Sequence, residues 1–193
     1  MRAPGPSSAL VFKVAVLLSV VGCLAPAGVS ASSSAIERFV GTYEYVGGDE
    51  DIEALDRAID EVVDQMNFFI RGIARRRLRA PNLPSKEVIV DLREGRIDII
   101  RPGQPEVSAP ADGRPITWRH PEDGDVFQVS HGVDDQGALY QRFEGERSVS
   151  RNRFVLSEDG AALTIHTVIL ADRLPAPLRF KMTYRRLAPR PQR

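Results

Sequence analysis

Three histidines are the side chains of this sequence best suited to acid-base or metal chemistry. His120 precedes Pro121 and a run of acidic residues, whereas His131 and His166 stand in segments that alternate apolar and polar residues. An imidazole beside carboxylates suits a metal ion, but a Pro-Glu-Asp-Gly-Asp run is more typical of a solvated turn. No two histidines have the helical spacing of a zinc site. We therefore predict no metal site, and an interior histidine or acid remains the basis of one rival hypothesis, an enzyme.

Other signatures of catalysis and of cofactor binding are missing from the sequence. It contains no Gly-x-Ser-x-Gly motif, no Walker A motif and no dinucleotide-binding glycine motif. The 26 basic residues are balanced by 26 acidic residues, which excludes the broad basic field that non-specific nucleic-acid binding requires. We predict no catalytic residue, no cofactor and no nucleic-acid partner.

Aromatic residues on separate strand-like segments are the strongest indication of a binding site. Strand alternation allows all of them to face one interior, which is either an ordinary filled core or a cavity for a small ligand. Three polar residues on the same faces, namely His131, Gln141 and Thr167, would fill a dry core poorly. We therefore predict a ligand-binding interior lined by Tyr43, Trp118, Phe127, His131, Gln141, Phe143, Thr167, Phe180 and Tyr184.

One strand and one long helix precede the remaining strands in the predicted order of elements. Residues 37–46 are rich in β-formers and read as a strand. Residues 49–79 place apolar side chains three and four positions apart, which predicts an amphipathic helix of about thirty residues. Asp49 would cap this helix, its acidic residues lie in the first turn and its arginines in the last, and Gly72 is a plausible kink. The arginine cluster 75–79 either compensates the helix dipole or binds an anionic group.

The rest of the chain has the two-residue period of β-strands. Residues 86–101 form a predicted hairpin around Glu94-Gly95, and residues 102–115 read as a loop. Further strands are predicted at 116–119, 125–131, 138–144, 149–156, 161–170 and 178–187, with turn residues between them. This regularity predicts a mainly β domain with one long helix, in which an antiparallel meander closes into a barrel.

The opening residues 39–43, Phe-Val-Gly-Thr-Tyr, resemble the start of the lipocalin and fatty-acid-binding-protein group of β-barrels. In that group a Gly-x-Trp motif begins the barrel and its aromatic packs across the base, and Tyr43 stands in the place of the Trp. The resemblance covers residues 37–187 and implies a helical segment after the first strand that covers the barrel. It also implies a terminal Arg-x-Tyr that holds a fatty acid's carboxylate. Here that motif reads Met182-Thr183-Tyr184, so only Tyr184 carries over.

The first 31 residues have the layout of a secretory signal peptide. Arg2 and Lys13 precede an apolar run of about twelve residues, and small residues offer a cleavage site before Ser32. The run is shorter than the roughly 20 residues that a bilayer span needs. We predict a secreted or periplasmic domain of residues 32–193 that contains no cysteine. A competing interpretation uses the lipobox-like residues 20–23, in which case Cys23 would be lipidated and attach the protein to a membrane.

These observations lead to one functional hypothesis and two rivals. The leading hypothesis is an exported barrel that binds an apolar or amphipathic small molecule without covalent chemistry. The first rival is a protein-interaction module whose barrel is solid, and the second is the enzyme described above. A large cavity would favour the ligand-binding barrel, and a packed core would favour the protein-interaction module. Converging histidine and carboxylate side chains would favour the enzyme. The sequence predicts neither the oligomeric state nor the identity of the ligand.

Overall fold

The computed structural model describes residues 34–187, which form ten strands, two helices of 16 and 12 residues, and a short helical segment at 34–37. The strand predicted for 37–46 therefore starts too early, because residue 37 is still helical and the strand begins at Gly41. Within this part of the chain, the strands are β1 (Gly41–Tyr45), β2 (Glu87–Arg93), β3 (Arg96–Ile100), β4 (Val107–Pro110), β5 (Ile116–Arg119), β6 (Val126–Val133), β7 (Leu139–Glu144), β8 (Ser148–Leu156), β9 (Ala162–Ala171) and β10 (Leu178–Arg186). The helices are α1 (Gly48–Val63) and α2 (Phe68–Arg79), and a 3-10 turn, Ala80–Asn82, follows α2. The predicted signal peptide and lipobox lie outside the described residues.

All ten strands belong to one antiparallel sheet that curls into a nearly closed barrel. Consecutive strands pair with each other from β2 to β4 and from β5 to β10, and β1 lies between β2 and β10. The two edge strands, β4 and β5, approach each other, but the described residues show no hydrogen-bonded ladder between them. The predicted antiparallel meander and barrel are confirmed.

One strand was missed because its residues resemble a loop. The segment 107–110 reads Val-Ser-Ala-Pro and lies in the region predicted as a loop, yet it pairs with β3 as the edge strand β4. A proline at the end of an edge strand removes no hydrogen bond from the sheet interior, so this position tolerates it. The prediction of an unbroken loop at 102–115 is wrong.

The single long helix predicted for residues 49–79 is also wrong, because the chain folds back after Val63. Asn67 caps the second helix: its side-chain oxygen accepts a hydrogen bond of 3.0 Å from the Phe69 amide. The break therefore lies at residues 64–67, and Gly72 lies inside α2. The first helix begins at Gly48 without a side-chain cap, so Asp49 does not have the predicted capping role. Within residues 34–187, neither helix combines the length and the apolar character that crossing a bilayer requires.

Ion pairs hold the two helices together along their facing sides. Arg75 and Arg79 contact Asp60 and Asp56 at 2.6 Å, and Arg71 contacts Asp64 at 3.5 Å. We call these three pairs the arginine ladder. Its four-residue spacing on both helices follows from the helical period, which places residues i and i+4 on one side. Antiparallel folding of the helix pair thus brings the acidic part of α1 beside the basic part of α2.

The first helix is anchored to the sheet through a buried carboxylate. Asp51 is 5% exposed and accepts a hydrogen bond of 2.6 Å from the Thr183 amide on β10. Gly47 lies directly beneath it, because a Cβ at that position would stand 1.8 Å from the Asp51 carboxylate. The second residue of the Gly47-Gly48 pair adopts φ of 58°, which favours glycine. The glycine pair therefore fixes the turn from β1 into α1.

A packed apolar core fills one end of the barrel. Leu139, Phe154, Ile165 and Met182 are buried cross-strand neighbours on β7 to β10. Three residues of α1, namely Leu55, Ile59 and Val62, belong to the same cluster. Tyr43 also belongs to it: its hydroxyl donates to the Phe39 carbonyl at 2.7 Å, and Arg186 lies 5.1 Å from its ring centroid. Tyr43 thus packs in the filled end, as the resemblance implied.

Candidate functional site

The other end of the barrel contains a cavity of about 410 Å³. Three aromatic residues from three strands, Trp118, Phe127 and Phe143, form one side of it. Their ring centroids lie 6.0 to 6.2 Å apart, within the range of favourable aromatic pairs. Ile99 and Val107, from the opposite edge of the sheet, line the other side. The cavity therefore spans the opening between β4 and β5.

A row of four polar side chains crosses the interior next to this cavity. His131, Gln141, Asn152 and Thr167 are successive cross-strand partners on β6, β7, β8 and β9, and all four are buried. The adjacent interior row on one side is the apolar row of Leu139 and Phe154. We call these four residues the polar row. Sequence analysis placed three of them in the interior and missed Asn152.

The polar row is a chain of hydrogen bonds with one direction. Thr167 donates its hydroxyl to Asn152 at 2.8 Å, and the Asn152 amide donates to the Gln141 oxygen at 3.1 Å. The Gln141 amide contacts His131 Nε2 at 3.1 Å, and His131 Nδ1 contacts the Ile97 carbonyl at 2.9 Å. A carbonyl only accepts, so Nδ1 carries the proton and Nε2 accepts from Gln141. All four side chains are thereby satisfied without water, and Gln141 and Asn152 also line the cavity.

His131 is neutral in this arrangement. Burial lowers its pKa from 6.5 to about 4, although the hydrogen bond to Ile97 opposes the shift. Both ring nitrogens already have partners, and neither partner is a carboxylate. The histidine therefore orients Gln141 and leaves no free nitrogen for proton transfer to a ligand.

A smaller space of about 80 Å³ adjoins the main cavity near the 3-10 turn. Thr167, Phe180 and Tyr184 line it, so three more of the predicted residues lie here. Burial raises the pKa of Tyr184 to about 12, and its hydroxyl is therefore protonated at neutral pH. Of the nine predicted residues, seven line the two spaces, His131 lies behind Gln141, and Tyr43 lies in the packed end.

Arg101 lines both spaces and was not predicted as a site residue. It follows β3, where Ile97 and Ile99 point into the barrel and are buried. The two-residue period places Arg101 on the same side. That continuation was the available signal, but Arg101 directly precedes Pro102, where the predicted hairpin ends.

The remaining histidines do not join this site as a metal centre. His120 lines the mouth of the main cavity and contacts Asp123 at 3.0 Å, whereas His166 lies on the outer face of β9. Within residues 34–187, no three or more His, Cys, Asp or Glu side chains are grouped as metal ligands would be.

A second feature is an exposed apolar surface on α2, which contains no buried residue. Phe69 is 86% exposed and Phe68 is 77% exposed, and their rings contact each other edge to face. Ile70 and Ile73 are also exposed. The apolar stripe predicted for residues 49–79 is therefore buried along α1, whereas in α2 Ala74 and Leu78 pack against the core and Phe68, Phe69, Ile70 and Ile73 remain exposed. We call these four residues the α2 apolar surface.

Comparison with known proteins gives structural likeness alone. No family model matches the chain, and no curated protein matches it in sequence. Among solved structures, apo lipid binding protein 8 of Caenorhabditis elegans is 10% identical, with a TM-score of 0.48 over 78% of this chain and 96% of that chain. A secretory abundant heat soluble protein of Ramazzottius varieornatus is 11% identical, with a TM-score of 0.47 over 78% and 96%. A mutant of the fluorescent protein UnaG is 9% identical, with a TM-score of 0.45 over 80% and 99%.

The topology of this chain identifies its fold without these likenesses. It has a ten-stranded antiparallel meander, a pair of helices between the first two strands, and a last strand that pairs with the first. The helix pair stands where the resemblance implied a helical segment after the first strand. The fold is a lipocalin-like, calycin-type β-barrel.

Proposed function

We propose that this protein reversibly binds an apolar or amphipathic small molecule inside its barrel. The main cavity carries the proposal: its volume of about 410 Å³ lies within the range of about 300 to 1,000 Å³ that is usual for ligand sites. Three aromatic rings supply apolar contact, and the amides of Gln141 and Asn152 supply a few fixed polar groups. This combination is typical of sites that bind by burial and orient the ligand by hydrogen bonds.

The two rival functions receive less support from the same observations. A solid barrel would fill its interior with side chains, whereas here the packed core occupies one end and the aromatic residues at the other end border open space. An enzyme would need an interior group ready for proton transfer, but both nitrogens of His131 are engaged and its low pKa keeps it neutral. We further propose that binding takes place outside the cytoplasm, on the basis of the signal-peptide layout of residues 1–31.

A pair of phenylalanine variants tests the cavity. Phe143 lines the cavity, whereas Phe154 is fully buried in the packed core two strand positions from the polar row. A neutral solvatochromic dye should bind the wild type saturably and change the emission of Trp118. Phe143→Ala should weaken dye binding by about 1 to 3 kcal/mol with little loss of stability. Phe154→Ala should instead lower the free energy of unfolding by about 3 to 5 kcal/mol.

The opposite pattern would reject the proposed function. Wild-type protein that takes up no apolar dye, together with Phe143→Ala destabilised as strongly as Phe154→Ala, would show that the aromatic end is also a solid core. The interaction-module hypothesis would then be favoured.

A second candidate function, docking to an anionic membrane surface, is supported by the α2 apolar surface. Four exposed apolar side chains on one short helix form a patch of the kind that marks interaction sites. Arg76 and Arg77 lie on the same helix, and among residues 34–187 neither has an acidic partner, unlike the three arginines of the ladder. Apolar residues flanked by free arginines match the interface of a bilayer that contains anionic lipids.

Vesicle binding tests this second function separately from the cavity. The protein should sediment with vesicles that contain phosphatidylserine and remain in solution with vesicles of phosphatidylcholine alone. The double change Phe69→Ser and Ile73→Ser should abolish sedimentation without altering dye uptake. Equal sedimentation of the variant and the wild type would exclude α2 as the docking surface.

A further inference from the structure

Charged residues are distributed unevenly over the fold, although the whole sequence is balanced. Strands β8, β9 and β10 contain no Asp or Glu. The acidic residues are instead concentrated in α1, where Arg57 is the single basic residue. The three strands carry the basic residues Arg151, Arg153, Arg179, Lys181, Arg185 and Arg186, with His166 among them. This part of the sheet is therefore positively charged.

The strand register arranges most of these side chains in two rows on the outside of the barrel. The first row runs from β7 to β10 through Arg142, Arg151, Val168 and Arg179, and the second through Tyr140, Arg153, His166 and Lys181. These positions alternate with the buried polar row, so they face outward. We call six of these residues the basic face: Arg142, Arg151, Arg153, His166, Arg179 and Lys181.

Like charges lie directly opposite each other within the basic face. Arg142 is the cross-strand partner of Arg151, and His166 lies between Arg153 and Lys181. Burial and then the charges of Arg153 and Lys181 lower the pKa of His166. Like charges placed opposite each other destabilise a sheet. This arrangement therefore reduces the stability of the free protein.

Carboxylates compensate only one side of the basic face. Glu144 pairs with Arg142 at 2.8 Å, and Asp134 pairs with Arg153 at 2.6 Å. Across residues 34–187, no acidic side chain pairs with Arg151, Arg179 or Lys181. All three are exposed. The excess positive charge is thus available to a partner.

A cleft of about 370 Å³ lies within the basic face. Its lining includes Tyr140, Arg142, Arg151, Arg153, His166 and Val168. The Nε–H group of Arg142 is shielded from water and has no acceptor among the described residues. The face extends about 14 Å from β7 to β10, because neighbouring strands are about 4.8 Å apart, and its two rows are about 7 Å apart. One carboxylate or phosphate cannot reach all of these cations, whereas a chain with repeated anionic groups can.

We propose that the basic face binds an acidic polysaccharide, whose successive carboxylates pair with its arginine and lysine side chains. Guanidinium groups bind carboxylates through two parallel hydrogen bonds. The apolar stems of Arg151 and Arg153 border the cleft below their charged ends, so a sugar ring can lie against them. This interaction is independent of ligand binding in the main cavity, because the basic face lies on the other side of the sheet.

Two other polyanionic partners fit the basic face less well. Single-stranded nucleic acid binds through aromatic rings on which its bases stack, but the ring of Tyr140 lies against Gly132. A membrane surface requires exposed apolar side chains beside the basic residues. Of the large apolar residues that are exposed, Leu170 is the one that lies on β7 to β10.

The test compares an acidic oligosaccharide with its uncharged ester. Fluorescently labelled oligogalacturonate and its methyl ester have the same sugar backbone, and each is titrated with the protein at pH 7.5 and low ionic strength. The basic-face variant combines Arg151→Gln and Lys181→Gln. The matched control combines Arg76→Gln and Arg77→Gln, which removes the same charge from exposed residues of α2.

Wild-type protein should bind oligogalacturonate, should bind the ester at least about 10-fold more weakly, and should lose affinity as NaCl is added. The basic-face variant should also bind oligogalacturonate at least about 10-fold more weakly, whereas the control should match the wild type. The unfolding midpoint of the basic-face variant should equal or exceed that of the wild type, because the variant relieves like-charge repulsion. Saturation with oligogalacturonate should raise the pKa of His166, measured by NMR titration, because nearby carboxylates favour the charged imidazole.

Several results would overturn this proposal. Equal binding of acid and ester, or no binding of either, would show that the face does not recognise the carboxylates. Equal weakening by the two double variants would mean that only net charge matters, and an unchanged pKa of His166 would place the sugar elsewhere. Oligothymidylate that binds as tightly as oligogalacturonate would assign the face to nucleic acid. Dye uptake into the main cavity should be the same in all three proteins, so failure of the cavity proposal is detected separately.

Discussion

Lowering the pH should reduce the free energy of unfolding of this protein through His131, and the shift of the His131 pKa sets the size of the loss. The folded protein holds this side chain neutral with a pKa of about 4, whereas the unfolded chain takes up a proton near pH 6.5. Between these values the unfolded state binds more protons, so stability falls as the pH decreases. For these two pKa values the loss is about 1.4 kcal/mol at pH 5.5 and about 2 kcal/mol at pH 5.0. Above pH 7.5 the contribution of His131 does not change.

A variant that cannot titrate isolates this contribution. His131→Gln should cost about 1 to 3 kcal/mol at pH 7.5, because the Ile97 carbonyl and the Gln141 amide lose a partner. Urea unfolding at pH 7.5, 5.5 and 5.0 gives the free energy of unfolding of the wild type and of His131→Gln. The other titrating groups contribute equally to both proteins, so their contributions cancel in the difference. The advantage of the wild type should shrink by the amounts above as the pH decreases. If both proteins lose stability in parallel, the unfolding data would show that His131 is not buried in its neutral form.

Three further predictions concern the helices and the start of the chain. Ile59→Asp should lower the free energy of unfolding in urea by about 3 to 5 kcal/mol, because it puts an unpaired charge in the core. Ile73→Asp, on the exposed side of α2, should change this free energy by less than about 0.5 kcal/mol. Similar losses for the two variants would show that α2 is also covered. Salt at 1 M NaCl screens the exposed ion pairs of the arginine ladder, and Arg75→Gln removes one of them. Either change should therefore speed amide hydrogen exchange in α2 more than in α1. Unchanged exchange would mean that the arginine ladder does not hold α2. N-terminal sequencing of exported protein should begin at Ser32 and should be unaffected by Cys23→Ala, whereas a lipid-modified Cys23 would favour the lipobox.

The strands were predictable because their pattern is local. Each strand from β5 to β10 was predicted to within two residues at either end, since alternating apolar side chains and glycine-containing turns depend only on neighbouring positions. The segment of β4 has neither signal, because its hydrogen bonds come from the register with β3 and not from its own residues. The alternation also placed most of the aromatic and polar site residues in the interior before their partners were known.

The sequence by itself thus determined the meander, the aromatic interior and the polar residues that face it, because a two-residue period specifies the side of a sheet. Tertiary structure decided how the two helices lie together, since the contacts between them join residues as distant in sequence as Arg79 and Asp56. Tertiary structure also decided which end of the barrel interior is filled and which end is open. The filled end is the one where α1 places Leu55 and Ile59. The polar row needs the register of four strands, and Arg101 became a site residue only when the barrel enclosed it. Burial and pairing are properties of neighbours in space, which residue spacing along one strand does not specify.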